Sequence, residues 1–187
     1  MAEGTAPTVA LAAERADVSR TTAYRYFPSQ ESLLLEVAMG DDVADIEHLV
    51  EHPDPDRSPV ERTAELLRTF NQHVVRNEVR YRTAQRLYTD LWLAAAAEGD
   101  PDPFVREGRR TRWIESTLAD ELASLPQAQR NRLVAALAML AGPEPMSTLR
   151  DVAHLAPDEA VEVADWMVRT LLDAVLARHS PPATGAR

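Results

Sequence analysis

Apolar and polar positions recur along this chain at three- and four-residue spacing, the period of helices that bury one face. Thr8 to Ala16 puts Val9, Ala12, Ala13 and Ala16 on one apolar side, with Pro7-Thr8 as its capping entry. Ser19 caps a second short helix that runs to about Phe27 and is ended by Pro28. Between the two, Asp17 stands where the turn needs a residue tolerant of positive φ, and Val18 is expected to plug the angle between the helices. From Glu31 a longer helix is predicted, with Leu35, Met39, Val43, Ile46 and Val50 as its stripe and Pro53 beyond its end.

The pattern then restarts several times. Ser58-Pro59-Val60-Glu61 is a capping box with proline at the first helical position. The helix it opens buries Val60, Ala64, Leu67, Phe70/Asn71 and Val74. Glu78 to Glu98 continues as another helix, with Tyr81, Ala84, Tyr88, Leu91 and Ala95 aligned, until Gly99-Asp100-Pro101-Asp102-Pro103 stops it. Pro103 to about Ser124 carries Arg109, Arg110 and Arg112 on a polar side, with Trp113, Ile114, Leu118 and Leu122 nearer the core. Gln127 to Ala141 follows, then the break Gly142-Pro143-Glu144-Pro145, then a short helix from Met146 to Leu155. Pro157-Asp158-Glu159 opens the last helix, whose stripe is Val161, Ala164, Val168, Leu171, Leu172 and Val175. Residues 180–187 are rich in proline and small residues and read as a disordered tail. With no strand pattern and no internal repeat, the fold class is all-α.

Composition narrows this further. Over 187 residues, 45% hydrophobic and 27% charged residues describe a globular chain with room for one small domain and a compact second one. No apolar run is long enough to span a membrane, and the N-terminus lacks the layout of a signal peptide. The absence of cysteine excludes disulfides and thiolate metal sites. These features predict a soluble cytoplasmic protein. The formal net charge of −10 argues against a broad nucleic-acid coat. It is unevenly spread: Arg15, Arg20 and Arg25 outnumber Glu14 and Asp17 in residues 7–30, whereas Asp41 to Asp56 holds only acids and histidines among its charged types.

The second short helix presents Arg20, Thr21, Thr22, Tyr24, Arg25 and Tyr26, side chains suited to phosphates, base edges and thymine methyls. The string Val18, Ser19, Arg20, Thr21, Thr22, Tyr24, Arg25, Tyr26, Phe27, Pro28, Ser29, Glu31, Leu33 resembles the recognition-helix signature of the tetracycline-repressor (TetR) family of bacterial transcriptional regulators. The resemblance implies that Arg20, Thr21, Thr22 and Arg25 read bases of a double-stranded operator. It implies that Ser19, Tyr24, Tyr26 and Gln30 hold phosphates, with Thr8 also at the DNA. Gln30 stands where the family usually has lysine, which makes one phosphate contact neutral. The family's first helix lies ahead of this segment, and Met1-Ala2-Glu3-Gly4 resembles only its last turn, so a truncated first helix is expected.

The two long C-terminal helices are apolar on more than one face, through Leu133, Val134, Leu137 and Leu140 in one and Val163, Trp166, Met167, Leu171 and Leu172 in the other. In TetR-like proteins this pair builds a four-helix bundle with a second subunit. The resemblance therefore implies a homodimer through Leu133, Leu137, Leu140, Val163, Met167 and Leu171. The expected organisation is a helix-turn-helix head over 1–40 and a helical ligand-binding and dimerisation domain over 41–179, with the tail beyond.

Other residues could carry chemistry. His48-Leu49-Val50-Glu51-His52 fits an inverted zinc-peptidase motif, but Pro53 ends the helix there and no third ligand is evident. Asp41-Asp42-Val43-Ala44-Asp45 fits a diphosphate-magnesium motif without the second acidic cluster such enzymes need. A solvated face is the better reading of both, so no catalytic residue, metal or cofactor is assigned. Phe70, His73, Asn77, Tyr81, Gln85, Tyr88, Trp92, Arg109 and Trp113 mix aromatic walls with polar anchors, the make-up of a small-molecule site. Composition leaves aromatic core packing equally open, and the family resemblance favours an effector pocket of unspecified ligand. The leading expectation is a ligand-responsive regulator, a repressor released by a small molecule. Two alternatives stand beside it: an all-α metal-dependent enzyme using Asp41, Asp45, His48 or His52, and a helical dimerisation module that no longer reads DNA.

Overall fold

The computed structural model describes residues 8–26, 29, 30, 33, 43–99 and 108–177. Among these residues the chain forms ten helices and no strand, as its periodicity predicts. They are α1 (Val9–Arg15), α2 (Arg20–Tyr26), α3 (Ala44–Glu51), α4 (Pro59–Arg76), α5 (Glu78–Ala97), α6 (Arg109–Thr117), α7 (Ala119–Ala123), α8 (Gln127–Met139), α9 (Pro143–Asp151) and α10 (Pro157–Leu176). The chain divides into two compact units, 1–42 with 78–106 and 43–77 with 107–187. Helix α5, which the sequence places in the helical body, is thus grouped with the N-terminal head.

In the first unit α1 packs against α2. Among the described residues their shared core is Val9, Ala13 and Ala23, joined by Leu33 and flanked by Ala12. Helix α5 buries Tyr81, Ala84 and Leu87, while Tyr88, Leu91 and Ala95 are half-buried.

Helix α4 is the hub of the second unit. Its start is the expected capping box: Glu61 N–H donates to Ser58 Oγ at 3.2 Å, and Ser58 N–H donates to Glu61 Oε2 at 2.8 Å. Its apolar side then packs against α3, α6, α9 and α10. The buried stripe of α10 is Ala160, Val161, Ala164, Val168 and Leu172, and its small residues let the backbones of α4 and α10 approach closely. Beside this seam Asp165 Oδ2 accepts from Arg169 Nε at 2.9 Å and pairs with Arg68 Nη1 of α4 at 3.6 Å.

Several expectations are corrected. Val43, placed on the stripe of a long helix, is not itself helical, at φ −116° and ψ 13°, and α3 begins after it at Ala44. Leu35, Met39, Asp41 and Asp42 lie outside the described residues, as do Met1 to Pro7, Phe27, Pro28, the 100–107 stop and the 180–187 tail. The helix expected over 103–124 is two helices, because Leu118 leaves helical geometry at φ −108°, ψ 21°. That kink lets Leu118, Leu122 and Leu125 all be buried. Helix α9 begins at Pro143, ahead of the expected Met146, since a proline at the first helical position gives up no hydrogen bond.

Candidate nucleic-acid interface

Three local devices set the shape of the α1–α2 unit. Thr8 caps α1 by accepting the Leu11 N–H at 3.2 Å on Oγ1. At the other end Val18 N–H donates to Ala13 O at 3.0 Å and Asp17 N–H to Glu14 O at 3.3 Å. This pair of bonds is a Schellman closure, and it requires a left-handed residue between helix and exit. Asp17 takes that position with φ +53°, as the sequence leads one to expect of this turn. Ser19 then caps α2: its Oγ accepts the Thr22 N–H at 3.1 Å and lies 2.8 Å from Thr22 Oγ1.

The same closure corrects the role given to Val18. Turning the chain at Asp17 carries Val18 outward, and it is 43% exposed rather than wedged between the helices. Ala16, assigned to the apolar side of α1, is also exposed. Among the α2 side chains described, Ala23 is buried, and Arg20, Thr21 and Tyr24 are left for other contacts.

Arg20, Thr21 and Tyr24 are exposed on α2, and Gln30 is exposed beyond it. Thr22 is half-buried, with its hydroxyl turned onto Ser19. Thr8 and Ser19 are exposed, but their hydroxyls already serve as caps. Arg25 and Tyr26 belong to the helix by backbone, and their side chains lie outside the described residues. A short helix with its guanidinium, hydroxyl and phenol groups in solvent suits phosphate and base-edge contacts.

The residues read as an effector pocket fall in both units. Tyr81, Gln85, Tyr88 and Trp92 lie on α5 of the first unit, with Tyr81 buried and Trp92 48% exposed. Phe70, His73, Asn77, Arg109 and Trp113 lie in the second. There Phe70 and Trp113 are buried and meet edge to face, ring centroids 5.4 Å apart at 82°. Asn77 Nδ2 donates to His73 O at 3.0 Å, and Arg109 is half-buried.

Of the residues assigned to self-association, Leu133 and Leu137 are buried within the chain and offer no surface. Their buried positions follow from the packing of α8 against α6. Leu140, Val163, Met167 and Leu171 are half-buried, and Trp166 and Met139 stand 65% and 64% exposed. Helix α10 therefore keeps further apolar positions, Val163, Trp166, Met167 and Leu171, beside the stripe that packs on α4.

His48 and His52 are exposed at the end of α3, with stacked rings whose centroids are 4.5 Å apart. Among the described residues no group of three or more His, Asp or Glu is placed to hold a metal ion, and no helix is long and apolar enough to cross a membrane.

Two residues that sequence reasoning did not single out are held by several bonds. Arg110, placed on a polar side by periodicity, turns inward to the end of α8 and to Glu144. Asn71 is 1% exposed and bonds the same turn. An asparagine inside the apolar stripe of α4 was the one available signal, since a buried carboxamide needs partners.

Residues 2–37 match the family model described as bacterial regulatory proteins, tetR family. The match covers the head, where the signature string lies. No curated protein and no solved structure matches the chain.

Proposed function

We propose that this chain, a member of the tetR family of bacterial regulatory proteins, is a cytoplasmic transcriptional regulator that binds a two-fold DNA operator as a homodimer and is released by a small molecule. The reading rests above all on α2, where the Ser19 cap and the Asp17 turn leave Arg20, Thr21 and Tyr24 in solvent. Arg20, Thr21, Thr22 and Arg25 read base edges, and Ser19, Tyr24, Tyr26 and Gln30 position the head on phosphates. With a net charge of −10, the chain has weak nonspecific attraction to DNA, so sequence contacts account for a larger share of binding.

The outward stripe of α10 supports self-association, because an apolar face of this kind at helical spacing is costly to leave in water. Val163, Trp166, Met167 and Leu171 form the surface that a second copy covers. A helix-turn-helix reader gains from pairing, since two heads read two half-sites about one turn of DNA apart. Division into a reading head and a helical body, with Phe70 and Trp113 in the effector wall, completes the proposal.

Selection of duplexes from a random pool by residues 1–187 tests it. Enrichment of a palindromic site, bound tightly by a dimer, is the expected result. A chain that binds all duplexes equally, or none, overturns the reading.

A further inference from the structure

Helix α8 ends within the second unit, and carbonyls of its last turn and of the turn that follows are taken by side chains of two other helices. Arg110 Nη1, in the first turn of α6, donates to Ala138 O at 2.9 Å and also to Ala141 O. The same nitrogen forms an ion pair with Glu144 Oε2 of α9 at 3.1 Å. From α4, Asn71 Nδ2 donates to Leu140 O at 3.1 Å, and Asn71 Oδ1 accepts the Gly142 N–H at 2.8 Å. Terminal carbonyls of a helix ordinarily turn to water or tighten into a 3₁₀ turn. Here Ala138, Leu140 and Ala141 are instead tied to α4 and α6.

The turn is built around these contacts. Gly142 adopts φ +103°, a backbone region that L side chains rarely enter. A Cβ there would stand 2.9 Å from Arg110 Nη1 and 3.3 Å from Phe70 Cε1. Phe70 also meets Trp113, which lies one turn along α6 from Arg110. Helix α6 thus carries an aromatic contact and a guanidinium arm on the same rigid segment.

We propose that Arg110 is a clamp that makes the α8–α9 turn follow α6, while Asn71 holds the same turn to α4. A shift of α6 that moves Trp113 also draws Arg110, and the charge-assisted bonds to Ala138, Ala141 and Glu144 must break or carry the turn with them. The cation is also favoured at the C-terminus of α8 by the helix dipole. Arg110 is a positioning residue: it acts through the ends of α8 and α9. The consequence for ligand response, that a molecule displacing Trp113 repositions α8, rests on the regulator reading. The clamp itself does not.

Hydrogen exchange on the full chain tests it. Arg110→Met should speed exchange about tenfold at the amides of 140–147, the local response to losing charged hydrogen bonds, while the amides of 160–172 in α10 change less than about twofold. Arg110→Lys keeps a cation within reach of the carbonyls and should return the rates toward the parent. Glu144→Gln leaves the two carbonyl contacts in place, so it should give a smaller rise confined to the same segment. That variant carries the test if Arg110→Met fails to fold. Unchanged exchange at 140–147, or a uniform rise through α10, overturns the clamp. Failure of the parent to bind any duplex would remove the regulator reading and leave this result intact.

Discussion

Ser19 Oγ lies 2.8 Å from Thr22 Oγ1 while accepting the Thr22 N–H at 3.1 Å, so the first turn of α2 is closed by the residue ahead of the helix and one inside it. Ser19→Ala removes both contacts and should cost about 1 kcal/mol, the usual loss of a serine cap. That loss should weaken binding to every duplex by a similar factor. Fluorescence anisotropy on a selected site and a scrambled one checks this, and a loss on one site alone contradicts it.

Base reading and phosphate holding separate by their effect on specificity. Arg20→Ala should relax preference at one position of the site, with a cost of about 1–3 kcal/mol for a lost bidentate contact. Tyr24→Phe should lower affinity for all sequences alike and leave the preference unchanged. Parallel selections with both variants make the comparison, and identical profiles and affinities would exclude α2 as the reader.

Self-association is best probed on the surface. Trp166 is 65% exposed on α10, and Trp166→Glu should shift a dimer to monomer in sedimentation without lowering the monomer's melting temperature. Leu137 is fully buried, so Leu137→Asp should unfold the chain through an unpaired buried charge. If Trp166→Glu leaves the parent's sedimentation unchanged, the stripe on α10 is not the interface.

Gly142→Ala should destabilise the second unit by about 1–3 kcal/mol, because it places a side chain in a strained backbone region and against Arg110 and Phe70. The check is urea unfolding followed by circular dichroism. An unchanged midpoint would show that the turn can relax.

The capping box at α4 has a defined pH response. Hydrogen bonds from the Ser58 side chain and backbone hold the Glu61 carboxyl below its ordinary value of 4.5. With the folded value below the unfolded one, the contribution is present above about pH 4.5 and is lost as pH falls through the folded value. Glu61→Gln should therefore lower the melting temperature at pH 7, and the gap from the parent should close at lower pH. A gap that stays constant down to pH 3 contradicts the assignment.

Local chemistry made much of this protein legible before any packing was known. Thr8, Ser19, Ser58-Pro59 and Pro157 mark helix starts because capping and proline geometry act within one turn, and each stands at the helix start expected of it. Asp17 at φ +53° is likewise a local requirement of a tight turn. The period of the apolar stripes gave the all-α class, since burial of one helical face needs no knowledge of the partner. What lies opposite each face was decided only by tertiary packing. Leu133 and Leu137 look like an outer stripe until α6 packs over them, and Val18 looks buried until the turn carries it outward. Arg110 carries the same polar signal as Arg109 and Arg112. It turns inward because the carbonyls at the end of α8, distant in sequence, come within reach of its guanidinium.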